Sequence, residues 1–402
     1  MKATKLITII MFLSVVLLLT GCWNSREINK QSIVRGMGID KVQKTNEYRV
    51  TFQIIIPSSV SIGRKGGAGG IPVIVHSDTD HTLFGAMRKA SQKVPRELFF
   101  AHIQYLIIGE SMAKAGIGEL FDFFERVPKF SLTSPILIAR GTSADSVLRV
   151  LSPAEYSQAG ALANKLALTS KEWGQSVVVE LLDVIKALQG TGETAISGVR
   201  IVGDPKIGET KANLEHTSLP AVIKIEGIAL FKGKKLNKWL DGEEARGTLW
   251  VQNKMKRTAV NIACKDIVEG TAVELIRSRT KVKVNMKDGH PVFRIRIDEA
   301  GVVNEVQCSI DLNKREEITN LQKQWAKETE EEVMKAVKVA QSRKSDIFGF
   351  GDAVRRSYPK LWKEIERKEK WPEMFAESKV EVEVKAFIRR TGMRGRPYFF
   401  KS

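Results

Sequence analysis

Side chains that could bind a metal or act as nucleophile, acid or base are few and scattered in this chain of 402 residues. The densest group of metal-ligand types lies between His76 and His81, where Asp78 and Asp80 stand between the two imidazoles. Imidazole and carboxylate groups at this density can hold a divalent cation. A polar turn before a helix accounts for the same residues. We prefer the turn, because no two histidines stand four residues apart on a predicted helix.

The other motifs also give no catalytic centre. His102 stands at the start of an apolar segment, where a buried, hydrogen-bonded imidazole is expected. The glycine-rich stretch 58–70 lacks the Lys-Ser/Thr pair of a phosphate-binding loop, so we expect a surface loop. No Gly-x-Ser-x-Gly elbow precedes a helix, and no pair of carboxylates is marked for acid–base chemistry. The sequence therefore predicts no catalytic residue, no metal site, no cofactor and no enzymatic activity.

The three cysteines, Cys22, Cys264 and Cys308, are too few for an all-cysteine zinc site or iron–sulfur cluster. Cys264 and Cys308 both fall in predicted strands. Two interpretations of this pair stay open at this point. The first is a disulfide, which requires neighbouring strands with Cα atoms within about 7 Å, and the second is two buried free thiols.

Cys22 follows a segment that is typical of an exported protein. Lys2 and Lys5 precede the uncharged, apolar run Leu6–Leu19. As a helix these 14 residues would measure about 21 Å, against roughly 30 Å for a bilayer core. The run is therefore short for a permanent span and of the right length for the apolar region of a signal peptide.

The end of that run, Leu19-Thr20-Gly21-Cys22, resembles the bacterial lipobox. In such sequences the thiol receives a diacylglyceryl group and the chain is cut before the cysteine. We therefore expect residues 1–21 to be removed and Cys22 to carry S-diacylglyceryl and N-palmitoyl groups. Two acyl chains anchor a protein stably where one does not, so the protein should lie on the outer face of a membrane. An uncleaved anchor with an incidental cysteine is the alternative.

The positive charge is concentrated in the second half of the chain. The formal net charge is +18, of which residues 211–402 carry +12 and residues 22–210 carry +4. Such an excess suits nucleic acid, an anionic membrane or an acidic partner, but a protein outside the cytoplasm meets no nucleic acid. Basic clusters usually mark a solvated face, and contact with anionic lipid or acidic partners is the other interpretation. The clusters are Lys232/Lys234/Lys235, Lys254/Lys256/Arg257 and Arg389/Arg390/Arg394/Arg396.

Strands and helices are predicted to alternate in the first half of the mature chain. Alternating apolar residues predict a hairpin from Ser32–Ile39 and Tyr48–Ile56, and Thr82 is placed to cap a helix that ends near Val94. The remaining predictions are strands at Ala101–Ile108 and Pro135–Arg140, and helices at Met112–Arg126, Ser143–Leu151 and Glu172–Leu188.

The second half is predicted to be an antiparallel sheet packed against one long helix. The apolar period changes after Lys314 and indicates an amphipathic helix to about Arg343. Asp288-Gly289 is a good hairpin turn, and a shorter helix follows at Tyr358–Lys370. The predicted strands are Ala221–Phe231, Thr248–Gln252, Thr258–Cys264, Ala272–Asn285, Pro291–Ile297, Glu305–Leu312 and a closing strand with Val380, Val382 and Val384 on one side.

The fold class expected from these patterns is α+β, with several mixed α/β domains. The polar stretch Gly203–Leu219 suits a domain boundary. We therefore expect a signal peptide at 1–21, an N-terminal domain at 22–205 and a C-terminal domain at 206–402, with a further split into three domains as the alternative.

Several segments resemble the Ger(x)C family, the lipoprotein C subunits of bacterial spore germinant receptors. The first are Cys22-Trp23 with Arg26-Glu27, and then Gly36-Met37-Gly38-Ile39-Asp40. Further along, Phe99-Phe100-Ala101-His102 through Gly109-Glu110 resembles the strand of the family that ends in Gly-Glu. The others are Gly227–Leu236, Asp346-Ile347-Phe348-Gly349-Phe350-Gly351 with Pro359 and Trp362, and Val380–Gly392.

The resemblance implies a non-enzymatic receptor subunit. It would work with an A subunit and a transporter-like B subunit, both multi-pass membrane proteins of the spore inner membrane, in nutrient-triggered germination. The alternative function is a lipoprotein that captures a solute for a membrane transporter. An extracytoplasmic hydrolase is the third candidate class.

Overall fold

The computed structural model describes residues 30–56, 71, 73–152, 158–190, 193–392 and 394–398. These residues form two β-sheets with helices packed against them, so the α+β expectation is confirmed. The first sheet has the strand order β3-β2-β1-β5-β6-β7-β8-β9, with β4 paired to the start of β1. Its strands are β1 (Gln31–Val42), β2 (Glu47–Ile55), β3 (Val73–Asp80), β4 (Glu97–Phe99), β5 (Tyr105–Ile108), β6 (Ile136–Ala139), β7 (Ala195–Gly203), β8 (Ala221–Lys232) and β9 (Lys235–Leu240).

The centre of this sheet is parallel and its two sides are antiparallel. Strands β1, β5, β6 and β7 run in one direction, whereas β2, β3, β8 and β9 join as antiparallel neighbours. Every residue of β5 and β6 is buried, as expected for strands that are covered on both faces. Alternate residues of β5 belong to two separate apolar clusters, one on each face of the sheet.

Seven helices of the first half pack around this sheet within the described residues. Thr82 accepts a hydrogen bond from the Gly85 amide and caps the first of them, as predicted. The predicted helix Met112–Arg126 is two helices, because Gly116 adopts a positive φ of +135° between them. The helices are α1 (Leu83–Gln92), α2 (Glu110–Ala115), α3 (Gly118–Arg126), α4 (Ala144–Arg149), α5 (Gln158–Glu172), α6 (Leu181–Gln189) and α7 (Pro205–Gly208).

The predicted helix Glu172–Leu188 is wrong in its first half. Helix α5 ends at Glu172, and Gly174 with a φ of +67° turns the chain away. Val177 and Val179 are buried from an extended segment, not from a helix face. Helix α6 begins only after Glu180, whose side chain forms a reciprocal capping box with Asp183.

Two further predictions in the first half are corrected. The polar turn expected at 75–81 is strand β3, whose residues pair with β2 from Val73 opposite Ile55 to Asp80 opposite Tyr48. Its polar residues gave no apolar alternation, so the strand was not recognisable from its pattern. His102 is exposed in a turn before β5, since the buried strand begins only at Tyr105. The glycine-rich stretch 58–70 lies outside the described residues.

The second sheet has the order β10-β11-β12-β13 and packs against the long helix α9. Strands β10 to β12 are antiparallel, and β13 joins β12 in parallel after the helices that separate them in sequence. Asp288 and Gly289 both have positive φ in the β11–β12 turn, as the hairpin prediction requires. The elements are α8 (Gly242–Val251), β10 (Thr258–Cys264), β11 (Ile267–Lys287), β12 (His290–Val306), α9 (Arg315–Ser342), α10 (Phe350–Ser357), α11 (Pro359–Arg367), α12 (Trp371–Glu377) and β13 (Lys379–Arg390).

Two predicted strands of this half are wrong. Thr248–Gln252 belongs to the end of helix α8, where Thr248, Leu249 and Trp250 are fully buried between neighbouring elements. Burial from several sides makes a short apolar run look like a strand. Beyond Val306 the segment 307–312 is irregular, so Cys308 lies after the strand and not within it.

Cys264 and Cys308 form a disulfide, with their Cα atoms 6.1 Å apart. The interpretation as two free thiols is therefore wrong. The bridge joins the end of β10 to the segment that follows β12, across a sequence separation of 44 residues. Closing a loop of this length stabilises the fold by about 4 kcal/mol in the chain-entropy account.

The expected boundary at residues 205 and 206 lies between two paired strands. β7 ends at Gly203, and β8 pairs with it from Ala221 onward. Strands β8 and β9 therefore extend the first sheet with residues from the C-terminal side of that boundary. The division at 205/206 stays a prediction. Because β7 and β8 are paired, one sheet contains strands from both sides of that boundary.

Candidate functional site

The expected acylation site, Cys22 with Leu19, Thr20 and Gly21, lies outside the described residues. The sequence nevertheless limits where an anchor there could hold the fold. Nine peptide units join Cys22 to Gln31, the first residue of β1, and they reach at most about 32 Å. Among the described residues, none of the helices combines the length and apolar character that a bilayer span requires.

Asp40, the last residue of the Gly-x-Gly-Ile-Asp segment, ends the buried part of β1 and caps helix α4. Its two carboxylate oxygens accept hydrogen bonds from the amides of Ala144 at 2.8 Å and Asp145 at 3.0 Å. Burial raises the pKa of Asp40, against the effect of those two amides. Gly109 is required beside it, because a Cβ at that position would stand 1.8 Å from Asp40 Oδ1. The two family segments therefore meet in one structural contact.

A polar network continues from this contact along the carboxyl ends of the parallel strands. Glu110 accepts hydrogen bonds from the Gly141 amide and, at 3.4 Å, from Trp239 Nε1. Arg140 makes a bidentate ion pair with Asp241 at 2.6 and 2.8 Å and stacks over the Trp239 ring. This edge of a parallel sheet is where ligands commonly bind, yet these charged groups bond one another. The network positions β9 and α2 against the parallel strands.

A second network surrounds Asp346, the first residue of the family segment that follows α9. Its carboxylate is buried and accepts hydrogen bonds from the amides of Phe350 and Gly351 at 3.0 and 2.7 Å. Trp371 Nε1 donates to it at 3.2 Å, and the Phe348 amide at 3.2 Å. The carboxylate therefore caps helix α10 and fixes the Trp371 indole over it.

The Asp346 network also joins the two sheets. The Glu193 amide donates to the Asp346 carbonyl at 3.0 Å, and the Glu193 carboxylate accepts from the Gly233 amide in the β8–β9 turn. Burial, together with the charge of Asp346, raises the pKa of Glu193 to about 7. Phe350 stacks on Phe293 of β12 with ring centroids 4.2 Å apart. The segment that begins at Asp346 thus contacts both the first sheet and the second and connects them.

Two buried carboxylates lie between β12 and α9. Glu299 accepts a hydrogen bond from Thr329 Oγ1 at 3.1 Å, and Glu332 pairs with Arg246 at 2.9 Å and accepts from Trp250 Nε1 at 3.0 Å. Burial raises the pKa of both groups, and that of Glu299 stands well above its ordinary value. Glu299 has no cationic partner within 4.0 Å among the described residues, so its ionised form is penalised.

The substitution Glu299→Gln is therefore expected to stabilise the protein at alkaline pH. An acid whose pKa is raised by folding favours the folded state below its unfolded pKa of about 4.3, and this contribution is lost as the pH rises through the folded pKa. The glutamine amide cannot ionise and retains an acceptor for Thr329. We expect the midpoint of thermal unfolding to rise by roughly 2–4 °C at pH 8, with the difference shrinking towards pH 4. Exposed Glu305→Gln is the control, and an equal effect of both variants at every pH would contradict the assignment.

His102, which was expected to be buried, is exposed, and the acidic residues between His76 and His81 bind lysines. Asp78 and Asp80 lie on β3. Asp80 pairs with Lys89 of helix α1 at 2.6 Å, and Asp78 pairs with Lys93, just after that helix, at 3.0 Å. Burial and the neighbouring Lys93 lower the pKa of His76. No group of three or more metal-ligating side chains is found in the part of the chain that the structure describes. Exposed His102 makes an edge contact with the Phe99 ring at 5.3 Å.

Sequence reasoning missed the partners of the family segments. Arg140 follows β6, whereas its partners Trp239 and Asp241 lie at the end of β9, and Trp371 lies 25 residues from Asp346. A hydrogen bond between such distant positions leaves no spacing that a single sequence reveals. The only local signal in the sequence is that Trp239 stands two residues before the acidic Asp241 and that Trp371 follows the basic Lys370.

Comparison with known proteins gives the class of this chain. The family "Spore germination protein N-terminal domain" matches residues 24–201, and "Spore germination B3/ GerAC like, C-terminal" matches residues 226–392. Together these two matches span most of the chain. The chain belongs to the Ger(x)C family of spore germination proteins.

Individual relatives agree over nearly the full length. Spore germination protein KC of Bacillus subtilis (strain 168) is 31% identical over 98% of this chain and 97% of its own. Spore germination protein A3 of the same organism is 24% identical over 94% of this chain and 96% of its own. The crystal structure of the GerBC protein shares the fold, with a TM-score of 0.55 over 88% of this chain and 97% of its own at 18% identity.

Proposed function

We propose that this protein is the lipid-anchored C subunit of a germinant receptor in the spore inner membrane, required with A and B subunits for nutrient-triggered germination. The full-length similarity to spore germination protein KC carries the proposal. The segment Leu19-Thr20-Gly21-Cys22 supports the anchor, which would place the protein on the outer face of the membrane. The subunit would act by docking, without enzymatic activity.

The arrangement of the two sheets supports a docking role. The carboxylates of the family segments, Asp40, Glu110 and Asp346, are engaged in caps and ion pairs that join elements. These contacts hold separate elements of the fold together, and an anchor on Cys22 would keep the start of β1 within about 32 Å of a membrane. Its basic second half offers surface for anionic lipid or acidic partner loops within a Debye length of about 8 Å.

Co-purification from spore membranes tests the assembly. A tagged copy of the full chain, extracted from spore inner membranes in a mild non-ionic detergent, is expected to retain two multi-pass membrane proteins in comparable amounts. A tagged lipoprotein of unrelated sequence serves as the control and should retain neither. Recovery of the tagged chain alone, under conditions in which it stays folded, would count against the receptor assignment.

A further inference from the structure

A basic groove lies between the two halves of the protein, away from the networks described above. Its volume is about 670 Å³, within the range of sites that hold small molecules. One wall is the end of α5 with the segment after it, and the other is the loop between α8 and β10 together with one residue of β11. The cationic side chains that line it are Lys171, Lys254, Lys256 and Arg257.

The positive charge of this groove is largely uncompensated. Glu172 lies 3.6 Å from both Lys171 and Arg257, and its side chain is half exposed. Lys254 and Lys256 make no ion pair with any described residue within 4.0 Å. Burial lowers the pKa of Lys254, and the charge of the more distant Asp183 opposes this effect. Lysines held together without acids repel one another, so an anion between them would be stabilised.

The backbone that carries these cations is fixed before any ligand arrives. The Arg257 amide donates to the Lys171 carbonyl at 3.0 Å, and Thr258 Oγ1 donates to the Trp173 carbonyl at 3.0 Å. From the other side, Ser278 Oγ donates to the Met255 carbonyl at 3.0 Å. These bonds tie the two walls together, so binding would cost little ordering of the chain.

One residue that lines the groove carries a buried polar group without a hydrogen-bond partner among the described residues. Ser176 lines the groove and is 2% exposed, and its buried hydroxyl oxygen has no hydrogen-bond partner among the described residues. A buried hydroxyl without a partner costs free energy, and buried polar groups are normally bonded. Val178 and Ile276 line the same groove and are 37% and 42% exposed. The groove thus combines cations, an unused donor and an apolar wall.

We propose that this groove binds a small ligand with a phosphate or carboxylate group next to an apolar portion. The anionic group would lie among Lys254, Lys256 and Arg257 and accept a hydrogen bond from Ser176 Oγ, while Val178 and Ile276 contact the apolar portion. A free organic anion and the headgroup of an anionic phospholipid share this chemistry. Binding in the groove requires neither the lipid anchor nor the receptor assignment.

Calorimetric titration of the full chain in non-ionic detergent tests the proposal. The probes are pyrophosphate, citrate and the short-chain lipid dihexanoyl phosphatidylglycerol, each at low salt. We expect at least one to bind with a dissociation constant below about 1 mM, which corresponds to about 4 kcal/mol. Tighter binding of the short-chain lipid identifies a headgroup site, and tighter binding of pyrophosphate or citrate identifies a solute site.

Substitutions assign the binding to the groove. Lys254→Gln with Lys256→Gln should weaken binding at least tenfold, and Ser176→Ala should weaken it about threefold or more. Since the Ser176 hydroxyl is unpaired, Ser176→Ala should leave the unfolding midpoint unchanged or raise it, which separates a ligand contact from a structural role. Lys360→Gln with Lys363→Gln removes the same charge from exposed α11 and should leave binding unchanged. Absence of binding by all three probes, or equal loss in both double variants, would overturn the proposal.

Discussion

Replacing Cys22 by Ala is expected to release the protein from the membrane fraction of disrupted spores. The acyl chains on Cys22 would supply the membrane affinity, since each buried CH₂ group contributes about 0.8 kcal/mol. The apolar run Leu6–Leu19 is too short to replace them as a permanent span. Immunoblotting of pellet and supernatant after a carbonate wash measures the effect, and most of the variant should appear in the supernatant.

Ser25→Ala is the matched control, because it lies beside the lipobox but outside it. This variant should stay in the pellet like the wild type, and only chains that retain Cys22 should incorporate labelled palmitate. A Cys22→Ala protein that remains in the pellet with its first 21 residues attached would show that the apolar run Leu6–Leu19 is an uncleaved anchor. That result would contradict acylation as the source of membrane binding.

Replacing Asp346 by Ala is expected to lower the free energy of unfolding by about 3 kcal/mol or more. The change leaves the amides of Phe350 and Gly351 and the Trp371 indole without their buried acceptor. Urea unfolding followed by tryptophan fluorescence suits the measurement, because Trp362 and Trp371 pack against each other with ring centroids 5.4 Å apart.

Two other substitutions sharpen the Asp346 experiment. Asp346→Asn keeps an acceptor of the same size and should lose about half as much stability. Asp266 is exposed, and its replacement by Ala should change stability by less than about 0.5 kcal/mol. If Asp346→Ala unfolds at the same urea concentration as Asp266→Ala, the capping role of Asp346 is wrong.

The sequence predicted the elements whose signals are local. The β1–β2 hairpin, the Thr82 cap, the Asp288-Gly289 turn and helix α9 each rest on residues that are close in sequence. Strand β3 carries no apolar alternation that would mark it in the sequence. Its acidic residues instead pair with lysines on and just after α1, so part of its stability comes from another element. The segment 173–180 resembles a helix in sequence, but its valines Val177 and Val179 are buried by distant parts of the chain.

The candidate site was only partly accessible from the sequence. Resemblance identified Asp40, Gly109 and Asp346 as members of family segments, but not what they do. Asp40 caps a helix 104 residues away, and Gly109 is a glycine because Asp40 occupies the space of its side chain. The basic cluster Lys254/Lys256/Arg257 was visible as charge. That it faces Lys171 and a buried serine across a groove follows only from the packing of the two halves.

Germination of spores that lack this chain tests the central claim most directly. In a strain deleted for the gene, we expect the response to one class of nutrient to be abolished, while non-nutrient triggers still release dormancy at the normal rate. A copy of the wild-type gene should restore the response, and a Cys22→Ala copy should restore it poorly. A vegetative growth defect with normal germination by every nutrient would contradict the assignment as a germinant receptor subunit.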